Sequence, residues 1–350
     1  MRRRVVELLA IASIAAAAPG CFVGRAAVRA TGAFFSSPRE VEKTKEPVTK
    51  DARLAVIWIG HATALIQIDD KVVLTDPVFT STIAQVGKRL VEPGLDPKDL
   101  PPVDVALLSH MHFDHLSLGS LDMIERKVRT LLLPSGGTTY IPDSFSFPSY
   151  ELRTWQSWEK DGLRVTAVPV DHVGWRYGLD DAWMKESVTG YVIEYHDLKV
   201  YFGGDSAYDQ KLFVETAQRF PKLDLALLPI GPIEPRSVMR RFHMDPRQAV
   251  QAFVDLDAAR MVPIHYGTFI NSTDNPGDAL RELENARKKV NLGPRIVAPL
   301  AIGERRVFVK VGESAELPQP RTFPPLATET GAPPPPPAPT STIPEDDSFE

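Results

Sequence analysis

One cysteine, Cys21, stands in 350 residues, so no intrachain disulfide can form and a cysteine-rich structural metal site is excluded. Beyond residue 30 no apolar run is long enough to span a bilayer. No basic stripe of the kind that nucleic-acid binding needs stands out, and no nucleic-acid partner is expected. The net charge of −5 is concentrated at one end: residues 313–350 hold seven acids and a single base, Arg321, leaving 39 basic against 38 acidic residues elsewhere. No repeat at solenoid periods is visible. What is present is apolar bulk: 43 % of the residues are hydrophobic, enough for one large domain or two modest ones.

The two ends differ from the middle. Met1-Arg-Arg-Arg4, a mostly apolar stretch from Val5 to Ala18 and Pro19-Gly20-Cys21 resemble a bacterial export signal over residues 1–30. Cys21 is then a candidate lipidation site, although Ala18 and Pro19 depart from the usual lipoprotein pattern. An uncleaved anchor helix or a disordered leader is the alternative. The expected location is the bacterial cell envelope, periplasmic or anchored to the membrane through the N-terminus. Residues 31–52 are polar and irregular and are expected to form a linker. Residues 313–350 contain eleven prolines, five of them consecutive from Pro333 to Pro337, and this acidic tail is expected to be disordered or polyproline-like.

Between the ends, residues 53–312 are expected to form a layered α/β domain. Strands are predicted at 54–59, 64–68, 71–75, 103–108, 130–133, 163–169, 188–195, 198–202, 224–228, 260–264, 295–300 and 305–310. Helices are predicted near 119–127, 209–219, 245–256 and 275–289. Asp245-Pro246 is a good start for the third helix, with Asp as N-cap and Pro at the first helical position.

Three of the eight histidines fall within six residues, in Ser109-His-Met-His-Phe-Asp-His-Leu116, directly after the apolar strand 103–108. On extended chain, His110 and His112 point the same way. Asp114 and His115 follow where the chain turns, so one short loop can feed two adjacent metal ions. Neutral imidazole with carboxylate suits zinc, manganese or iron. Two ions need further ligands, and later apolar strands end in suitable groups: His172 after Val168-Pro-Val170, Asp205 after Val200-Tyr-Phe-Gly-Gly204, and His265 after Met261-Val-Pro-Ile264. Each alone is accounted for as an ordinary loop residue; together they describe a site on the rim of a sheet.

The order His-x-His-x-Asp-His, lone His, Gly-Asp, late His resembles the metallo-β-lactamase superfamily over most of residues 53–310. Several phrases resemble its N-acyl-phosphatidylethanolamine phospholipase D branch: Trp58-Ile-Gly-His-Ala-Thr63, Leu74-Thr-Asp-Pro-Val-Phe79, Gly203-Gly-Asp-Ser-Ala-Tyr208, His243-Met-Asp-Pro246 and Ile264-His-Tyr-Gly-Thr-Phe269. The ascorbate-6-phosphate lactonase-like branch shares the same core. The resemblance implies an αββα sandwich, four layers deep, with two divalent ions at one edge, expected to be zinc with manganese or iron as alternatives. It assigns His110, His112 and His172 to one ion, Asp114, His115 and His265 to the other, and Asp205 as the bridge. Asp76 would support the site by hydrogen bonding, and so would His61, for which a satisfied turn histidine is the competing account. His243 would contact substrate, or serve only at the start of the helix beside it. Position 113 departs from the branch: Phe113 stands where a tyrosine contacts substrate.

The activity this implies is hydrolysis, with a phosphodiester of a phospholipid-like ester as first substrate and Asp114, Asp205 and His243 at the reacting centre. Lactone or other ester hydrolysis is the alternative, and a non-catalytic metal-binding protein the least favoured. Trp155, Trp158, Trp175, Tyr177 and Trp183 flank His172 in sequence and are candidates for an apolar pocket, although core packing accounts for each singly. The branch also suggests a homodimer.

Overall fold

The computed structural model describes residues 37–84, 87–178, 180, 183–184, 186–275, 277–293 and 296–313. The expectations for the export segment, Cys21 and the proline-rich tail therefore fall outside the described residues, Glu313 apart. No helix among those residues is long and apolar enough to cross a membrane.

Strands in chain order are β1 (Ala52–Gly60), β2 (Thr63–Ile68), β3 (Lys71–Thr75), β4 (Thr82–Ile83), β5 (Gly87–Lys88), β6 (Val105–Leu107), β7 (Leu131–Pro134), β8 (Ser149–Leu152), β9 (Ser157–Lys160), β10 (Leu163–Val168), β11 (Gly190–Tyr195), β12 (Leu198–Phe202), β13 (Leu225–Pro229), β14 (Met261–Ile264) and β15 (Arg305–Lys310). The α-helices are α1 (Leu118–Ile124), α2 (Gln210–Arg219), α3 (Arg236–Met239), α4 (Pro246–Asp255) and α5 (Asp278–Lys289). One large sheet runs β15-β1-β2-β3-β6-β7-β8 and the other β14-β13-β12-β11-β10-β9, while β4 and β5 pair in a small two-stranded sheet.

Alternation along each strand builds the layers, because successive side chains leave a strand on opposite faces. In β1, Leu54, Val56 and Trp58 enter the core between the sheets, while Ile57 and Ile59 face outward into a second core that contains Leu121 and Ile124 of α1. In β12, Val200 and Phe202 enter the central core, and Tyr201 faces a third core with Phe213 of α2, Phe253 of α4 and Leu283 of α5. Three stacked cores separate four layers, so the fold is the expected α/β class, an αββα sandwich. Asp245 caps α4 by accepting from the Gln248 amide, in a reciprocal capping box.

The differences from expectation are confined to weakly patterned segments. Of the strand expected at 295–300, the described residues 296–300 form only a single bridge, from Val297 to Met261; Pro299 has no amide proton with which to extend the ladder. Strands β8 and β9 carry no sequence signal of their own, because they lie on sheet edges with largely exposed, polar residues and no apolar alternation. The helix expected over 119–127 is α only through Ile124 and tightens to a 3-10 turn at Glu125–Lys127. Residues 37–51, expected as part of a linker, lie against the domain: the Arg39 and Thr44 amides donate to the Leu90 and Gly94 carbonyls, and the Glu46 carbonyl accepts from Arg305 at 2.6 Å.

Candidate metal centre

Strand ends deliver polar side chains to one rim. His61 follows β1, Asp76 follows β3, Ser109 to His115 follow β6, His172 follows β10, Asp205 follows β12 and His265 follows β14, while His243 lies between α3 and α4. Three of these residues hold left-handed backbone, with φ of 57° at His61, 32° at Asp76 and 61° at His265. Such conformations cost about 1–3 kcal/mol each and persist where surrounding structure over-determines them.

Two groups of donors form. His110 Nε2 and His112 Nδ1 are 2.8 Å apart, and His172 Nε2 is 3.4 Å from the same His112 atom. In the second group, His115 Nε2 and His265 Nε2 are 3.2 Å apart, with Asp114 Oδ2 at 3.9 and 3.8 Å from them. Asp205 Oδ2 stands between the groups, 3.9 Å from both His110 Nε2 and His172 Nε2, 3.2 Å from His115 Nε2 and 3.0 Å from His265 Nε2. The seven residues assigned as ligands from the sequence thus converge, in overlapping clusters: His110, His115 and Asp205 also form a group, His243 joins His172 and Asp205, and His61 joins Asp114, His115 and His265. His61 Nε2 reaches Asp114 Oδ2 at 3.0 Å, and His243 Nδ1 lies 3.7 Å from Asp205 Oδ2.

The donor set fits divalent cations on the structure's own terms. The outer ring nitrogen of four histidines is anchored, which aims the inner nitrogen at the other donors. His172 Nδ1 donates to the Phe242 carbonyl at 2.8 Å, and His265 Nδ1 to the Gly231 carbonyl at 3.0 Å. His115 Nδ1 donates to Asp76 Oδ2 at 2.6 Å, and His110 Nδ1 to Ser109 Oγ at 2.9 Å. Oriented imidazoles of this kind are the usual outer support of a metal site. Asp205 Oδ1 and His243 Nδ1 are buried without a hydrogen-bond partner, as groups reserved for a ligand are. Burial pushes His172 down to about 4 and His61 down to about 3, and holds His110 well below the usual histidine range. Neutral imidazole is the form that ligates metal. Burial works against ionisation of Asp205, but the rings of His265 and His115 outweigh it and hold the carboxyl far below its ordinary range. Asp114 behaves alike, with His115 and the His61 hydrogen bond overcoming burial.

The aromatic expectation divides. Trp175 packs edge-on against His112, with ring centres 4.7 Å apart, and Tyr177 packs against Phe113 at 5.7 Å. Trp158, on edge strand β9, packs against the central core, and Trp155 lies against the outer helical core under the Arg219 guanidinium at 4.1 Å. These two are packing residues and do not join a pocket with Trp175. Trp183 is 66 % exposed.

Two residues without an assigned role in the sequence matter here. Ser109 donates its amide and hydroxyl to Asp76, each at 2.7 Å. Arg176, almost fully buried, donates Nη1 to the Met111 and Leu116 carbonyls at 2.8 and 2.9 Å and stacks on Phe113 at 4.1 Å, so it clamps both ends of the ligand loop. Its partners are backbone carbonyls, which carry no side-chain signal. Ser109 is legible in the sequence only as a polar residue at a strand end.

A sequence profile described as the Beta-lactamase superfamily domain matches residues 71–266. The chain belongs to this superfamily, whose members include metal-dependent hydrolases. It is 30 % identical over 268 residues to the N-acyl-phosphatidylethanolamine-hydrolyzing phospholipase D 1 of Caenorhabditis elegans, covering 70 % of this chain and 74 % of that one. It is 35 % identical over 231 residues to an uncharacterized protein of Mycobacterium tuberculosis, where the match spans 62 % of this chain and 60 % of the mycobacterial protein. Among solved structures, a metallo hydrolase from the archaeon Ignicoccus hospitalis shares the fold, with a TM-score of 0.53, 20 % identity, and 72 % and 97 % of the two chains covered.

Proposed function

We propose that this chain is a metal-dependent hydrolase working with two divalent cations, and that it cleaves a phosphodiester in a phospholipid-like ester. The observation that carries the reading is the position of Asp205 Oδ2, within 3.9 Å of imidazole nitrogens from both donor groups. His110, His112 and His172 would hold one cation, Asp114, His115 and His265 the other, with Asp205 shared. The oxygen- and imidazole-rich donor set favours zinc, with manganese or iron as alternatives. A bound pair of this kind supplies Lewis acidity to a phosphoryl or carbonyl oxygen and acidifies water.

The protein's own groups do the rest. Asp114 is turned by the His61 hydrogen bond, and the outer bonds of His110, His115, His172 and His265 hold their rings with the inner nitrogen facing the other donors. His243, with its free Nδ1 beside Asp205, is placed to meet a substrate oxygen. Trp175 and Phe113 give the ligand loop an apolar border on which an acyl chain can lie. The relative from C. elegans, hydrolyzing N-acyl-phosphatidylethanolamine by its name, supports a phospholipid substrate. A second reading, lactone or other ester hydrolysis, is favoured by one observation: position 113 is phenylalanine, so the loop offers no phenol to a phosphate.

The same proposal includes export to the bacterial envelope with attachment through the N-terminal segment and Cys21, on the charge and hydropathy of residues 1–21, and a homodimer by analogy with the branch. Fractionation with and without Cys21→Ser tests the first, and sedimentation of residues 37–313 the second.

The test of function is a panel of N-acyl-phosphatidylethanolamine, bis(p-nitrophenyl) phosphate and a lactone, run on chelator-stripped protein reloaded with zinc. Release from the phosphodiesters, abolished together with metal content by His112→Ala, is expected. Lactone opening alone selects the second reading. Two bound ions without turnover on any ester would leave a binding protein.

A further inference from the structure

Ser109 occupies a junction that no ligand assignment includes. Its hydroxyl donates to Asp76 Oδ2 at 2.7 Å, and its amide donates to Asp76 Oδ1 at the same distance. Having given its proton to Asp76, Ser109 Oγ can only accept from His110 Nδ1, at 2.9 Å. Asp76 Oδ2 also accepts from His115 Nδ1, at 2.6 Å; the approach of that nitrogen to Ser109 Oγ, at 3.3 Å, is the longer of its two. One buried carboxylate therefore orients a histidine in each donor group, directly for His115 and through Ser109 for His110. All four groups are fully buried, so water offers no substitute.

The backbone is shaped for this contact. Gly204, at φ +54°, precedes Asp205, and a Cβ there would lie 2.4 Å from Ser109 Cβ and 2.9 Å from Ser109 Oγ. Only glycine lets the Asp205 turn close over the serine.

We infer that Ser109 is a positioning residue that couples the two cation sites, relaying Asp76 to His110 alone. The inference rests on the two-cation reading above. Replacing the hydroxyl leaves the His115–Asp76 bond in place but strands the His110 Nδ1 proton in a dry site. The ring then gains by moving that proton to Nε2, where it blocks the inner lone pair. Ser109→Ala should thus weaken one cation and spare the other. Asp76→Asn should weaken both. Its amide can keep the Ser109 amide bond only through its oxygen, which turns the NH2 group toward Ser109 Oγ and His115 Nδ1, where acceptors are needed.

The experiment is zinc titration of stripped wild type, Ser109→Ala and Asp76→Asn against a chromophoric chelator, with cobalt absorption spectra and melting of the metal-free forms as folding controls. Expected are two ions in the wild type, one ion weakened at least tenfold in Ser109→Ala with the other within threefold of wild type, and both weakened in Asp76→Asn, in line with the usual 10- to 100-fold cost of outer-shell changes. Should Ser109→Ala fail to fold, Asp76→Asn carries the test, and unchanged affinity for either ion overturns the coupling. Two ions of wild-type affinity in Ser109→Ala, or equal weakening of both, overturns the inference while leaving the two-cation reading intact. Fewer than two ions in the wild type overturns both, and is seen before any variant is made.

Discussion

His61 holds Asp114 with its ring and His265 with its backbone. Its Nε2 lies 3.0 Å from Asp114 Oδ2, and its carbonyl accepts the His265 amide at 2.9 Å, while its own amide donates to Thr268 Oγ1 at 2.7 Å. The left-handed backbone at this position lets one residue serve both directions. His61→Asn tolerates that backbone but shortens the side chain beyond reach of Asp114. Turnover is expected to fall about 10- to 100-fold, the usual cost of losing outer support at a metal site, with melting nearly unchanged. Steady-state kinetics beside a thermal melt checks this; unaltered kcat removes His61 from the site.

Arg176 is a matter of stability first. Arg176→Leu leaves the Met111 and Leu116 carbonyls buried and unpaired, at about 1–3 kcal/mol for each buried group left unsatisfied. Urea unfolding should show a lower midpoint at an unchanged slope. Loosening of the loop should also raise metal dissociation rates, measured by chelator chase.

Metal removal should destabilise the chain. The donor groups crowd together within a dry rim, and a cation at about 100 times its Kd adds about 2.7 kcal/mol to unfolding. A melt in excess chelator should fall several degrees below the zinc-loaded one and recover on reloading. Coincident melts would show that the rim holds no tightly bound cation.

Asp224 gives a pH signature away from the rim. Burial pushes its carboxyl up to about 6, and it accepts the Lys199 amide at 2.8 Å. Below about pH 4 the group is protonated folded or unfolded. As pH rises to about 6 only the unfolded chain releases the proton readily, so stability falls through that window and is level above it. Asp224→Asn keeps an oxygen for the Lys199 amide and removes the fall. The variant should gain on wild type as pH passes from 4 to 6, by at most about 3 kcal/mol, since each pH unit separating the folded from the unfolded titration is worth ~1.4 kcal/mol. The difference between the two unfolding midpoints across pH isolates this group, since the histidines titrate alike in both. A constant difference sinks the assignment.

Local signals carried far in this chain. Short, largely apolar runs marked β1, β2, β3, β10, β11 and β12, most of whose residues are buried on both faces. Asp245 and Pro246 announced α4 because capping is settled within one turn. Polar residues at the ends of apolar strands marked His172, Asp205 and His265, since a sheet rim is where such ends emerge. Edge strands β8 and β9 escaped notice because exposed polar residues leave no apolar run, and Trp155 and Trp158 pack against cores, the account that held for each singly, because nearness in sequence to His172 is not nearness in space.

By itself, then, the sequence determined the layered α/β class, the strand ends that bear imidazole and carboxylate, and the residue types that suit divalent cations, all of which depend on periods and spacings of a few residues. Tertiary structure alone decided that Asp205 Oδ2 stands between the two donor groups, that Ser109 and Asp76 serve one histidine from each, and that Arg176 and the carbonyls of Phe242 and Gly231 brace the rim. Those relations join residues from distant parts of the chain, and only the packing of two sheets, with water driven from between them, brings such atoms within hydrogen-bonding reach.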